Sequence, residues 1–200
     1  MIIGIDFDNT IVCYDKIFYE IALDKGIIPA NLPKVKEEVR NYLRKCGKEN
    51  LWTELQGYVY GPSTLKAKPF AGVLDFFVHC KKQRSKVYII SHKTIHPFLG
   101  SKYNLHKYAH KWLEQNAFYN TKKTGLSKND VFFELTKEEK LNRIIIQKCT
   151  HYIDDLPEFL GEESFPKGIK RILFDPNRKY KNKKEFDSIS SWKEMAEKIK

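Results

Sequence analysis

The sequence predicts an α/β fold: a Rossmann-like three-layer core with a central parallel sheet and a small inserted α-helical cap. Three observations predict it. Short β-branched apolar runs alternate with amphipathic helical segments, the pattern of buried parallel strands joined by helices. Several of those strands run directly into polar or acidic residues. A long, mostly helical stretch interrupts the alternation just after the first strand.

Residues 2–6 form the first expected strand (Ile-Ile-Gly-Ile-Asp), short and ending in polar residues. The interrupting stretch, residues 13–69, carries three expected helices. The first spans 16–25 and is stopped by Gly26. The second spans 33–46, with Pro33 in its first turn, Gly47 past its end, and Val35, Val39, Tyr42, Leu43 and Cys46 on one face. The third spans 49–56 and ends before Gly57. This stretch is too small to build a large core of its own, so it is expected as a cap inserted into a core made of 1–12 and 70–200. The alternation then resumes. Helices are expected at 72–83, 105–116 and 137–148, and strands at 86–90, 131–134, 151–154 and 170–174. The apolar face of the 137–148 helix reads as Leu141, Ile144 and Ile145. A last helix buries Trp192, Met195, Ala196 and Ile199 behind the capping box Ser191/Glu194.

Composition narrows the classes. The 200 residues are 42% hydrophobic and 30% charged, which excludes wholesale disorder. Thirty-six basic against 25 acidic residues leave a net charge of +11, which points to anionic partners. No apolar run is long enough to span a bilayer. The opening Met1-Ile2-Ile3-Gly4 has neither a basic region nor a long apolar stretch, so no signal peptide is expected. The four cysteines, Cys13, Cys46, Cys80 and Cys149, are too far apart in sequence for a CxxC pair. They are expected as reduced thiols in a cytoplasmic protein.

Three strand ends carry the chemistry. After the first strand stand Asp6 and Asp8, then Thr10. In extended chain, residues i and i+2 point the same way, so the two carboxylates converge. Convergent carboxylates need a cation between them or a proton on one, which suits one as nucleophile and the other as general acid. After the 86–90 strand come Ser91, His92 and Lys93, a hydroxyl and two basic groups suited to phosphate oxygens. After the 151–154 strand stands the adjacent pair Asp154-Asp155, costly to keep without a cation. In an open parallel sheet, all three motifs fall at the carboxyl edge, where such folds bind their ligands.

Together these motifs resemble those of the haloacid dehalogenase (HAD) superfamily of phosphohydrolases. Asp6, Asp8 and Thr10 match its first motif, Ser91 its second, and Asp154 and Asp155 its fourth. The third, a lysine ahead of the acidic pair, is met by Lys140 or Lys137; Lys140 lies beside the apolar face of its helix and is preferred. The resemblance covers about residues 1–12 and 70–175.

It implies a Mg²⁺-dependent phosphatase acting on a phosphate monoester through an aspartyl-phosphate. Asp6 would be the nucleophile and Asp8 the general acid and base. Asp6, Asp154, Asp155 and the backbone carbonyl of Asp8 would hold the metal, with Asp154 reaching it through water or orienting Lys140. Thr10 would brace the Asp8 loop. Ser91 and the backbone N–H groups near Phe7 and Asp8 would hold phosphoryl oxygens, and the remaining negative charge makes His92 and Lys93 candidates to bind the phosphate or another part of the substrate. An Asp two residues after the nucleophile fits phosphatases and phosphomutases rather than dehalogenases. A small phosphorylated molecule is the expected substrate, with cap residues Tyr42, Trp52, Tyr58, Tyr60, Lys66 and Lys68 as specificity candidates.

Two alternatives share the fold: a nucleic-acid or nucleotide end-processing phosphatase, and a phosphotransferase or phosphomutase. The basic, aromatic-bearing run 178–184 supports the first. A receiver-type phosphate-binding module is disfavoured, because its acidic pair follows the first strand and here it follows a later one.

Overall fold

The computed structural model describes residues 1–180 and 185–199. In chain order it contains β1 (Ile2–Ile5), β2 (Val12–Cys13), α1 (Asp15–Asp24), α2 (Lys36–Lys45), α3 (Glu49–Tyr60), β3 (Lys68–Pro69), α4 (Val73–Lys82) and β4 (Lys86–His92). There follow α5 (Leu105–Gln115), α6 (Thr121–Thr124), β5 (Val131–Glu134), α7 (Lys137–Ile146), β6 (His151–Asp154), α8 (Pro157–Leu160), β7 (Lys170–Phe174), β8 (Asp187–Ile189) and α9 (Trp192–Lys198). Short 3-10 turns occupy Pro62–Lys66 and Lys128–Asp130.

The chain divides into two compact units. One comprises residues 1–12, 69–93 and 116–200; the other comprises 13–68 and 94–115.

The first unit is built on a six-stranded sheet in the order β5-β4-β1-β6-β7-β8, with every pair parallel. β1 lies at its centre, so its side chains meet packed groups on both faces. Alternation along the strands sorts these groups. Ile90, Tyr152 and Leu173 join Leu141 and Ile144 of α7 and Phe159 and Leu160 of α8 in one cluster. Elsewhere in this unit, Trp192 of α9 lies 5.0 Å from Phe76 of α4 and 5.3 Å from Phe174 of β7, ring centre to ring centre. Ile145, expected on the buried face of α7, is 52% exposed. At about 100° per residue it lies about 40° beyond the buried arc of Lys140, Ile144 and Leu141, because the buried lysine occupies the other side of that face.

The second unit is helical. Phe18 of α1 packs on Trp52 of α3 with centroids 5.0 Å apart, and Val39 and Leu43 of α2 are fully buried. Residues 94–115 belong here, whereas the sequence pattern assigns them with the rest of 70–200 to the core. The reason is local packing. A side chain at Gly57 of α3, or at Gly61 just past its end, would collide with Pro97 or Tyr103, so these glycines admit the 96–104 loop. The buried indole of Trp112 on α5 then donates to the carbonyl of Ala67 at 2.9 Å.

Gly4 on β1 tests the tightness of the sheet. A Cβ there would stand 2.6 Å from Cδ2 of Tyr152. That ring cannot swing aside, because it is fully buried and its hydroxyl donates to the Ile90 carbonyl at 2.6 Å. Gly4→Ala should destabilise the fold by about 1–3 kcal/mol, as overpacking does. The urea unfolding midpoint measures it.

Candidate active site

The site lies within the first unit, at the carboxyl end of its central strands. β1 and β6 pair with Gly4 opposite Tyr152 and Ile5 opposite Ile153. The amide of Asp6 donates to the Ile153 carbonyl at 2.9 Å, extending that ladder. Asp6 therefore follows Gly4, and Asp154 follows Tyr152, onto the same face of adjacent strands. Both carboxylates are buried, Asp6 at 5% exposure and Asp154 at 0%.

α7 supplies the counter-charge. Its N-terminus is fixed by a capping box: Thr136 Oγ1 accepts from the Glu139 amide at 3.1 Å, and Glu139 Oε2 accepts from the Thr136 amide at 3.0 Å. That start sets the helix phase so that Lys140 faces the sheet with Leu141 and Ile144, all three buried. The Lys140 ammonium donates to Asp6 Oδ1 and to Asp154 Oδ2, both at 2.7 Å. It also lies 4.0 Å from the centre of the Phe159 ring and 5.6 Å from that of Tyr152. Lys137 instead forms an exposed ion pair with Glu162 at 3.6 Å. Of the two lysines the sequence offered, Lys140 is the one that reaches the carboxylates.

Asp154 is held at both oxygens, since Oδ1 accepts from the Leu156 amide at 2.9 Å. Asp155 is half-buried, and its Oδ1 accepts from the Thr10 hydroxyl at 3.3 Å. The Thr10 carbonyl in turn accepts from the Trp192 indole at 3.3 Å, so Thr10 ties the loop after β1 both to the residue after β6 and to α9. That loop is a tight turn. Phe7 O accepts from the amides of Ile11 and Val12, and Asn9 takes a left-handed backbone (φ 60°), which asparagine tolerates better than most residues.

One oxygen each of Asp6, Asp154 and Asp155 can be chosen so that all lie within 4.8 Å of one another, an all-oxygen donor set of the kind hard divalent cations take. Burial raises the Asp6 carboxyl to about 7; the Lys140 ammonium opposes that rise, and the Asp154 and Asp8 charges add to it. Lys140 is itself desolvated, but the two carboxylates outweigh burial and hold it above the ordinary lysine range, so it stays charged. Three carboxylates with one ammonium leave a deficit of positive charge.

The Ser91-His92-Lys93 run separates into different environments. Ser91 is buried in β4, two residues beyond the partner of Ile5. The His92 ring contacts the Leu135 carbonyl at 3.0 Å, and burial lowers its pKa. Lys93, expected among the groups that grip substrate, is 4% exposed and donates to Asp8 Oδ2 at 2.6 Å. That contact has no sequence signal, because the partners stand 85 residues apart. Likewise, nothing in the pattern 157–160 singled out Phe159 as the ring against which Lys140 packs.

Solved structures share this architecture across nearly the whole chain. A HAD-superfamily hydrolase from Ehrlichia chaffeensis matches with a TM-score of 0.53 at 13% identity, covering 98% of this chain and 94% of that one. A phosphoserine phosphohydrolase-like protein from Francisella tularensis matches at 0.56 and 13% identity, covering 99% of both. YfnB from Bacillus subtilis, in a magnesium-bound form, matches at 0.53 and 12% identity, covering 99% and 97%. The chain has the HAD-like fold. No protein-family model and no curated sequence matches it. Within the HAD-like fold, the acidic cluster of this chain sits where β1 and β6 end side by side.

Two outcomes follow from the buried charges. Lys140→Met leaves two buried carboxylates without their ammonium and should cost about 3–5 kcal/mol, read from the urea midpoint. With the Asp6 carboxyl raised from the usual 3.8 to about 7, the folded protein keeps a proton that the unfolded chain has lost. The stability contributed by this group therefore falls as pH rises from about 4 to about 7. In chelator, Asp6→Asn should flatten that slope when midpoints are compared across the window.

Proposed function

We propose that this protein is a Mg²⁺-dependent phosphatase that hydrolyses a phosphate monoester through an aspartyl-phosphate on Asp6. The observation that carries this reading is the Lys140 ammonium held at 2.7 Å from both Asp6 and Asp154, inside a cluster of three carboxylates at the carboxyl edge of the sheet. The hydrolase names of the fold neighbours, one of them magnesium-bound, are in keeping with it.

The donor set fits a divalent cation: three carboxylate oxygens within 4.8 Å of one another, with too little positive charge beside them. Asp6, Asp155 and the Asp8 carbonyl would hold Mg²⁺. Asp154 accepts from the Lys140 ammonium and from the Leu156 amide, so it would orient Lys140 and reach the ion through water. Bound there, the ion would neutralise phosphoryl charge and keep Asp6 ionised.

The chain's own residues carry the steps. An Asp6 carboxylate oxygen attacks phosphorus, the bond from phosphorus to the ester oxygen breaks, and Asp8 gives its proton to that oxygen. Asp8, now a carboxylate, takes a proton from water. The resulting oxygen attacks phosphorus, the Asp6–phosphorus bond breaks, and orthophosphate leaves. Ser91 and the amides after Asp6 hold the phosphoryl oxygens. Lys140 fixes Asp6 in place throughout.

The helical unit made of 13–68 and 94–115 is proposed as the cap that selects the rest of the substrate. Trp52 is 2% exposed within it, and Tyr60 packs edge-on against Tyr14 and Phe18, so neither is assigned to specificity. The four cysteines are all free, in keeping with a cytoplasmic site of action. Among the described residues, no helix is long and apolar enough to cross a membrane.

A small phosphorylated molecule is the favoured substrate. Nucleic-acid end processing rests on the +11 charge and the basic run 178–184, of which residues 181–184 lie outside the described residues. The test is phosphate release from monoesters with and without Mg²⁺. Asp6→Asn and excess chelator should each abolish release. Full activity in either would overturn the mechanism. A screen of sugar phosphates, nucleotides and end-phosphorylated oligonucleotides, with the salt dependence of binding, separates the substrate classes.

A further inference from the structure

The geometry points to Lys93 as a positioning residue that fixes which oxygen of Asp8 moves the proton. This rests on the phosphatase reading above and adds a residue to it.

Lys93 is anchored at both ends. Its amide donates to the Glu134 carbonyl at 2.8 Å, extending the β4–β5 ladder one residue past His92. Its side chain passes the Phe7 ring, with the ammonium 5.5 Å from the ring centre, and ends 2.6 Å from Asp8 Oδ2. Its side chain is only 3% exposed and that of Asp8 19%. The pair is therefore shielded, and bulk water competes weakly for it. The backbone of Asp8 is also constrained, by the tight turn around Phe7 and a bridge to Val12.

An ammonium has donors and no acceptor. Oδ2 faces it as an acceptor, and the carbonyl oxygen of a carboxylic acid is the better acceptor of its two. A proton on Asp8 therefore resides on Oδ1. In the first half-reaction Oδ1–H passes its proton to the ester oxygen as the bond to phosphorus breaks. In the second, the same Oδ1 takes a proton from the attacking water. Lys93 neither gains nor loses a proton in either step. It holds the carboxyl plane so that one oxygen always serves.

Positioning of an acid matters in proportion to the need for a proton. A 4-nitrophenolate leaving group departs without protonation, whereas an alkoxide does not. The experiment compares kcat/KM, which reports steps up to the first irreversible one, for glycerol 2-phosphate and 4-nitrophenyl phosphate. Lys93→Met should lower the value for glycerol 2-phosphate by about 100-fold, the scale of a misplaced general acid. The value for 4-nitrophenyl phosphate should fall far less. Asp8→Asn should give the same split, and adding Lys93→Met to it should change nothing further, because the two residues act as one unit.

Equal losses on both esters, or losses that add in the double variant, would overturn the role of Lys93 and leave the phosphatase reading standing. A wild-type protein that hydrolyses neither ester would overturn that reading and this one with it. Should Lys93→Met fail to give a cooperative melting transition, Lys93→Gln keeps a donor in place of the charge. It should then show the same unequal losses, smaller in size, and equal losses would overturn the proposal.

Discussion

A buried ammonium held between two buried carboxylates is the constraint around which the first unit is organised. Lys140 contacts Asp6 and Asp154 only because three independent features agree. The β1–β6 register sets the two acids side by side. The capping box at Thr136 sets the phase of α7. Tyr152 and Phe159 set aromatic rings beside the ammonium. A one-residue slip in register would send one carboxylate to the opposite face, and a shifted helix start would point the amine away. Buried ion pairs generally stabilise no better than apolar packing of the same volume. What this one provides is a carboxylate held at a fixed place and angle, at the edge where a parallel sheet opens.

Much of this was legible in the chain. The alternation of β-branched runs and amphipathic segments located β1, β4, β5, β6 and β7 to within a residue or two, because each is short, buried and bounded by polar residues. β2, β3 and β8 were not legible. They are two or three residues long and carry no period that distinguishes them from loop. The allotment of 94–115 to the helical unit was equally hidden. It depends on Gly57 and Gly61 leaving room for a loop some 40 residues downstream, and from sequence Gly57 reads as the end of the 49–56 helix rather than as a position inside it.

The acidic residues of the site were visible because their spacing after strands is a local fact. The choice between Lys137 and Lys140 needed the helix phase. Its signal was present in Thr136 and Glu139, three residues apart, with Lys137 between them and Lys140 directly after. Lys93 had no such signal. Next to Ser91 and His92 it looks like one more basic group for an anion, and only the fold brings it against Asp8.

The positions of these charges bear on the overall +11. The site gathers four carboxylates, from Asp6, Asp8, Asp154 and Asp155, and answers them with the ammoniums of Lys93 and Lys140. Its own balance is therefore acidic, in a chain that is strongly basic. Most of the basic excess stands outside the site, where it raises the local concentration of anions and is screened by salt over about 10 Å. A phosphate dianion brought in by that field meets repulsion over the last few ångströms. Removing that repulsion takes either a divalent cation among the carboxylates or protons on some of them. Lys140 cannot do it alone, because its charge is already divided between two partners at 2.7 Å. The same geometry that fixes Asp6 so firmly thus leaves its charge to be met by a cation or a proton.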